Sequence, residues 1–99
     1  MRTDGIPSRF KLMGHTIRVR VLPQSKWRHG AGAVGVFDPS KYRIDILNVQ
    51  PESHRQQIFC HEIVHAWLTL AGREDLSQDE NLVDQLGHLV QQSLTTFEA

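Results

Sequence analysis

The feature that most restricts the fold of this chain is a change of hydrophobic periodicity near its midpoint. In His15–Leu22 the apolar residues Ile17, Val19 and Val21 alternate with polar ones. After Pro51 the apolar residues instead recur at steps of three and four, as far as Leu94. Alternation is typical of a strand with one buried face, and the longer steps are typical of an amphipathic helix. The chain therefore predicts an α+β domain in which helices cover one face of a small sheet.

Residues 10–48 are predicted to form the sheet. Besides His15–Leu22, two apolar runs at residues 33–37 and 42–47 flank the segment Asp38-Pro39-Ser40-Lys41. An Asp-Pro start favours a turn, so these two runs are expected to form a hairpin. We expect a small antiparallel sheet of about three strands.

Residues 51–97 are predicted to form two helices. Pro51 suits a first helical position, and Gly72 suits the residue just after a helix end. Ser77 and Glu80 then have the S-x-x-E spacing of a capping box, which predicts the start of the second helix. Gly87 inside that helix costs about 1 kcal/mol relative to alanine, which indicates close approach of another backbone.

Length and composition predict one small domain over residues 1–99. The chain has 39% apolar residues, enough for one modest core. It contains no run of about 20 apolar residues that could cross a bilayer, and its N-terminus lacks the apolar run of a secretory signal. The single cysteine, Cys60, is compatible with a reducing compartment. We expect a cytoplasmic protein that makes no membrane contact.

The charges are balanced overall but divided between the two halves. Residues 1–50 hold nine basic and three acidic residues, whereas residues 51–99 hold two basic and eight acidic ones. A basic half can bind nucleic acid, can attract the acidic half of the same domain, or can simply be solvated. Because no recognisable nucleic-acid motif accompanies the basic residues, we favour solvated faces or attraction within the domain over nucleic acid as a partner.

The motif that carries chemistry is His61-Glu62-Ile63-Val64-His65, an H-E-x-x-H on the first predicted helix. Two histidines four residues apart project from one helix face and can bind one metal ion. Glu62 follows the first histidine and can act as general base towards water that the metal activates. The pattern predicts one Zn²⁺ per chain, with His61 and His65 as ligands and Glu62 as the catalytic residue.

The third ligand must come from elsewhere, and the second helix offers Glu80, Asp84 and His88 at steps of four residues. Glu80 has a competing explanation, because it could simply close the capping box. In an antiparallel helix pair with matched ends, Asp84 would lie more nearly level with His65 than Glu80 would. From the residues alone, both carboxylates remain candidates.

The segment of residues 79–84, Asp-Glu-Asn-Leu-Val-Asp, resembles the glutamate motif of the gluzincins, the thermolysin-like zinc peptidases. That resemblance implies Glu80 as third ligand and Asp84 as the residue that orients His61. The run Val34, Gly35, Val36 and Phe37 is similar to the edge strand with which gluzincins hold an extended substrate. More broadly, residues 30–95 look like the minimal single-domain zinc peptidases of bacteriophages and bacteria, which implies a phage protein acting in the host cytoplasm.

The expected function is therefore hydrolysis of a peptide or protein substrate. In full-size gluzincins a further domain forms the far wall of the cleft and donates the Tyr and His that stabilise the oxyanion. That domain is not among these 99 residues, so we expect an open cleft that a protein partner completes, with His88 or Tyr42 as local oxyanion donors. Two alternatives remain: a catalytically silent zinc-binding interaction module, and a nucleic-acid-associated protein that uses its basic half.

Overall fold

A computed structural model describes residues 5–98; Met1–Asp4 and Ala99, and with them the charges of Arg2 and Asp4, lie outside the described residues. The elements follow in the order β1 (Arg9–Leu12), β2 (His15–Leu22), a 3₁₀ turn (Gln24–Lys26), β3 (Gly35–Asp38), β4 (Arg43–Leu47), α1 (Glu52–Leu70), α2 (Glu74–Ser77) and α3 (Glu80–Thr96). The α+β class is confirmed, with all strands before all helices. No helix of the described residues is long and apolar enough to cross a membrane.

The sheet is mixed and four-stranded, with the order β1-β2-β4-β3. The predicted hairpin is confirmed by the antiparallel pairing of β3 with β4. The predicted small sheet of about three strands is confirmed, with β1 as a fourth strand, but its purely antiparallel pairing is wrong because β2 pairs with β4 in parallel. In β1 the polar Arg9 and Lys11 alternate with Phe10 and Leu12, but a run of only four residues is a weak signal for a strand. The parallel pair arises because the long connection after β2 carries β3 to the sheet edge, and β4 returns to the middle.

The core lies between one face of the sheet and α1. Ile17 and Val19 of β2 and Ile44 and Ile46 of β4 are at most 3% exposed, and they pack against Ile58 and Phe59. Burial of a side chain of this size stabilises the fold by about 1.5–3 kcal/mol. Cys60, at 4% exposure, belongs to the same core.

The segment between the two long helices differs from the prediction, and this difference affects the site. α1 ends as expected, with Gly72 at φ +77° and the Arg73 N–H donating to the Leu68 carbonyl at 2.8 Å. The two predicted helices are present as α1 and α3, and a further helical turn, α2, lies between them and ends at Ser77. The predicted capping box is also absent, because Asp79 caps α3 by accepting from the Leu82 N–H at 3.1 Å.

Candidate metal centre

α1 places the two histidines of the H-E-x-x-H motif side by side at the surface of the molecule. His61 and His65 lie one helical turn apart, with ring centroids 5.0 Å from each other. Their side chains are 24% and 17% exposed, so each ring has one edge open to solvent. Burial lowers the pKa of His65 below its ordinary value, although the charge of Glu80 opposes this shift. A lowered pKa favours the neutral imidazole, which is the form that binds metal.

The first turn of α3 brings Glu80 to both histidines. Oε2 of Glu80 lies 3.2 Å from Nε2 of His61, and Oε1 lies 3.3 Å from Nε2 of His65. A tetrahedral ion with bonds of about 2.0–2.1 Å holds its ligand atoms about 3.3–3.4 Å apart, so the two distances from Glu80 to the histidines match that spacing. Ligand atoms of all three side chains lie within 4.8 Å of one another. With Asp79 as the helix cap, the Glu80 carboxylate is free for this role. His61, His65 and Glu80 therefore form a group that could hold a metal ion.

Asp84 lies one turn further along α3, on the side of His61 opposite Glu80. Its Oδ1 is 3.6 Å from Nδ1 of His61, and its Oδ2 is 3.5 Å from Nε2 of His88. These are ion-pair distances rather than hydrogen-bond distances. Asp84 thus faces the ring nitrogen of His61 that points away from Glu80, which is where a carboxylate can orient a ligating imidazole.

Ser77 is the site residue that sequence reasoning assigned to another role. Its Oγ lies 2.8 Å from Nδ1 of His65, and the residue is only 5% exposed. This contact holds the His65 ring so that Nε2 faces Glu80. Nothing in the sequence distinguishes Ser77 from a helix cap, because the contact depends on how α2 folds back against α1.

Glu62 lies beside the histidines but points into the protein, where it is 7% exposed. Burial raises the pKa of Glu62 to about 7, and the nearby Glu80 acts in the same direction, while His61 and a hydrogen bond from the Phe37 backbone N–H oppose it. A divalent cation at the three-residue group would also favour the charged carboxylate. Glu62 is close to the histidines without belonging to the group that could hold metal.

Strand β3 passes close to Glu62 because residue 35 is glycine. A Cβ at Gly35 would lie 2.5 Å from Cγ2 of Ile58 and 3.1 Å from Oε2 of Glu62. β3 is an edge strand, since it pairs with β4 on one side only among the described residues. The Val34 carbonyl accepts from Leu47 of β4, whereas the Phe37 N–H points to Glu62. Alternation therefore places the backbone groups of Gly35 and Phe37 on the free edge.

Two clefts meet at the histidines and Glu62. One, of about 550 Å³, lies between β3 and α2, and the other, of about 320 Å³, lies between β3 and the start of α1. Gly35, His61 and Glu62 line both of them. Neither cleft has a Lys or Arg among its lining residues, and the larger one includes Glu74, whose carboxylate accepts from Thr69 Oγ1 at 2.9 Å. An extended ligand lying along β3 would pass directly over Glu62.

The proposed oxyanion donors lie elsewhere. The Tyr42 ring stacks on His15 at 4.4 Å, and His88 lies 3.1 Å from Nε2 of Gln57. Neither Tyr42 nor His88 lines the two clefts.

The uncharged polar side chains that line the larger cleft near His65 are Thr69, Ser77 and Gln78.

Comparison with known proteins identifies no relative. The chain matches no protein-family model, no curated protein and no solved structure.

Proposed function

We propose that this chain is a zinc-dependent hydrolase that cleaves peptide bonds. The observation that carries the proposal is the position of Glu62, a buried carboxylate beside three potential metal ligands and beneath a free strand edge. Two imidazoles and one carboxylate make a ligand set typical of hydrolytic zinc sites, in which a fourth position stays open for water or substrate. His61, His65 and Glu80 would hold the ion.

A zinc ion bound there supplies a Lewis acid that polarises the scissile carbonyl and lowers the pKa of water. Glu62 takes a proton from the attacking water as the carbon–oxygen bond forms. When the carbon–nitrogen bond breaks, Glu62 returns this proton to the leaving amine. Asp84 and Ser77 keep the two imidazole rings oriented, each through Nδ1, the ring nitrogen that does not face Glu80.

The backbone of β3 aligns the substrate. Gly35 presents its N–H and carbonyl on the free edge, where an extended peptide can add as a further strand. The Phe37 N–H donates a hydrogen bond to Glu62 and is not available to a substrate. The strand therefore contributes fewer hydrogen bonds to substrate than its length suggests. The peptide bond over Glu62 is then the one exposed to attack.

Metal content and peptide hydrolysis, measured on the same preparation, test the proposal. The full chain is stripped with a chelator, reloaded with zinc, analysed for bound metal and incubated with a peptide mixture whose new termini are read by mass spectrometry. We expect about one zinc per chain and cleavage that the chelator stops. Zinc binding without any cleavage would favour a silent zinc-binding interaction module. If the chain binds no zinc, both the hydrolase proposal and the silent zinc-binding alternative are wrong.

A further inference from the structure

The face of the sheet turned away from the helices carries five cations in neighbouring positions. Arg9 of β1 pairs in register with Arg18 of β2, and Arg18 pairs with Arg43 of β4. Neighbouring strands lie about 4.8 Å apart, so the three arginines occupy adjacent positions across the sheet, and Asp38 of β3 follows Arg43 in the same row. Lys11 and Arg20 lie two residues further along their strands, on the same face. We call Arg9, Lys11, Arg18, Arg20 and Arg43 the basic face.

Most of this charge is not neutralised within the described residues. Arg20 binds both oxygens of Asp45, at 2.8 and 2.9 Å, and Arg43 lies 3.3 Å from the same carboxylate. Arg9, Lys11 and Arg18 form no ion pair with any described carboxylate, and all three residues are exposed. Like charges directly opposite each other destabilise a sheet. An anion bound to the basic face would therefore stabilise the fold.

The acidic half of the same chain does not supply that charge. The acidic residues of residues 51–98 lie on the helical layer, and the apolar core of Ile17, Ile44 and Phe59 separates that layer from the basic face. Attraction between the two layers therefore does not explain the division of charge along the chain. β1 and β2 instead present the exposed Arg9, Lys11, Arg18 and Arg20 to the surroundings, whereas the Arg43 side chain is only 22% exposed.

The basic face also contains a groove of about 450 Å³, lined by Arg9, Phe10, Lys11 and Thr16. Beside it, the turn between β1 and β2 exposes Met13, the one large apolar side chain that is exposed among the described residues of this hairpin. A surface built for a lipid bilayer would combine its cations with several exposed apolar side chains. Three of the four residues that line the groove are cationic or polar, and two of them are cations, which suits a polyanion.

We propose that the basic face binds the phosphate backbone of a nucleic acid. Arginine, which supplies four of the five cations, forms paired hydrogen bonds with phosphate oxygens. The cations repeat about 4.8 Å apart across the strands and about 6.8 Å apart along them, a spacing that can follow successive phosphates. The basic face lies on the opposite side of the sheet from His61 and Glu62, so nucleic acid and a peptide can be bound together, and neither proposal requires the other.

Binding of a labelled oligonucleotide to the full chain, followed by fluorescence anisotropy over a range of salt concentrations, tests the inference. We expect both single strand and duplex to bind at low salt. The slope of log affinity against log salt should be roughly −2 to −4, as expected for three to five phosphate contacts. Arg18→Glu should weaken binding by about tenfold or more.

Arg73→Glu is the matched control, because it changes the net charge by the same amount but lies near α2, where Arg73 pairs with Asp75 at 2.9 Å. We expect it to leave the affinity within about twofold of the original. Arg9→Glu provides a second variant if Arg18→Glu fails to fold, with circular dichroism as the check on folding. Equal losses in the Arg9 or Arg18 variant and in Arg73→Glu would overturn the inference, as would no binding at low salt. Equally tight binding to phosphatidylserine vesicles or to poly-glutamate would also overturn it, because the partner would then be a membrane or an acidic polypeptide.

Discussion

Glu62 is the residue whose chemistry can be separated from metal binding. It is buried beside His61 but is not among the three side chains whose ligand atoms converge. Glu62→Gln keeps the shape of the side chain and the acceptor for the Phe37 N–H, but the amide cannot take up a proton. We expect hydrolysis to fall by about 10²–10⁴-fold, with zinc content unchanged. Parallel measurements of zinc stoichiometry and peptide cleavage check this, and loss of zinc from the variant would mean that Glu62 is a ligand instead.

Glu80 and Asp84 are distinguished by the histidine atoms that they face. Glu80 is within 3.3 Å of both Nε2 atoms, whereas Asp84 is 3.6 Å from Nδ1 of His61 only. We expect Asp84→Ala to weaken zinc binding by about 10–100-fold, as for the loss of a group that orients a ligand, and Glu80→Ala to weaken it more. Competition with a chromophoric chelator measures both affinities. The reverse order would make Asp84 the third ligand.

Ser77 offers a test of ring orientation that does not depend on activity. Ser77→Ala removes the partner of His65 Nδ1 and leaves a small side chain in a site that is already buried. We expect zinc affinity to fall by about tenfold, while Ser77→Thr, which retains the hydroxyl, should restore most of it. With cobalt in place of zinc, the visible absorption spectrum should change in the alanine variant. Identical affinity and spectrum in Ser77→Ala would show that the hydroxyl has no positioning role.

At the scale of elements, the site depends on how closely α3 packs against α1. A Cβ at Gly87 would lie 3.1 Å from Cα and 3.2 Å from N of His61, so a side chain there would push the two backbones apart. The close approach indicated by the sequence is thus confirmed, and the neighbouring backbone is that of His61 itself. Glu80 and Asp84 reach the histidines because the two helices are this close.

Gly87→Ala should therefore disturb the site as well as the fold. The better helix propensity of alanine, worth about 1 kcal/mol, is opposed by overpacking of about 1–3 kcal/mol. We expect a net destabilisation of about 1 kcal/mol together with weaker zinc binding, measured by urea unfolding and chelator competition. Gln85→Ala, on the exposed side of α3, is the control and should change neither quantity appreciably. Unaltered zinc affinity in Gly87→Ala would show that the α1–α3 distance does not control the site.

At the scale of the whole molecule, Asp45 links three segments of the chain through one buried carboxylate. It accepts hydrogen bonds from Arg20 of β2 and lies 2.8 Å from Nε2 of His29 in the connection before β3. Burial alone would raise the pKa of Asp45, but the hydrogen bonds from Arg20 and His29 and the charge of Arg43 outweigh it and hold the pKa below its usual range. The charged form is therefore favoured in the folded state.

This lowered pKa predicts how stability depends on pH. The contribution of Asp45 is fully present above its unfolded pKa of about 4 and is lost as the pH falls through the lower folded value. Asp45→Asn should reduce the free energy of unfolding by about 2 kcal/mol near neutral pH, and this difference from the original chain should shrink at acid pH. Urea unfolding of both chains at a series of pH values measures this difference. A difference that stays constant down to the acid limit would exclude Asp45 as the titrating group.

The features of this protein that depend on local spacing could be predicted from the sequence. Alternation identified β2 at its observed bounds, Gly72 marked the end of α1, and the four-residue step placed His61 and His65 on one helix face. These features could be predicted because each depends on the backbone geometry of a single element. The cytoplasmic location, the phage origin and the protein partner stay predictions.

Which side chains meet depends on tertiary packing. From the sequence, Glu80 could close a capping box or bind a metal; in the structure Asp79 is the helix cap, Glu80 lies beside both histidines, and α2 brings Ser77 to His65. The parallel pairing of β2 with β4, which aligns Arg18 with Arg43, likewise depends on a long connection whose path no local pattern specifies. Contacts between residues far apart in the chain follow from how whole elements pack, and that packing is a property of the entire core rather than of any short segment.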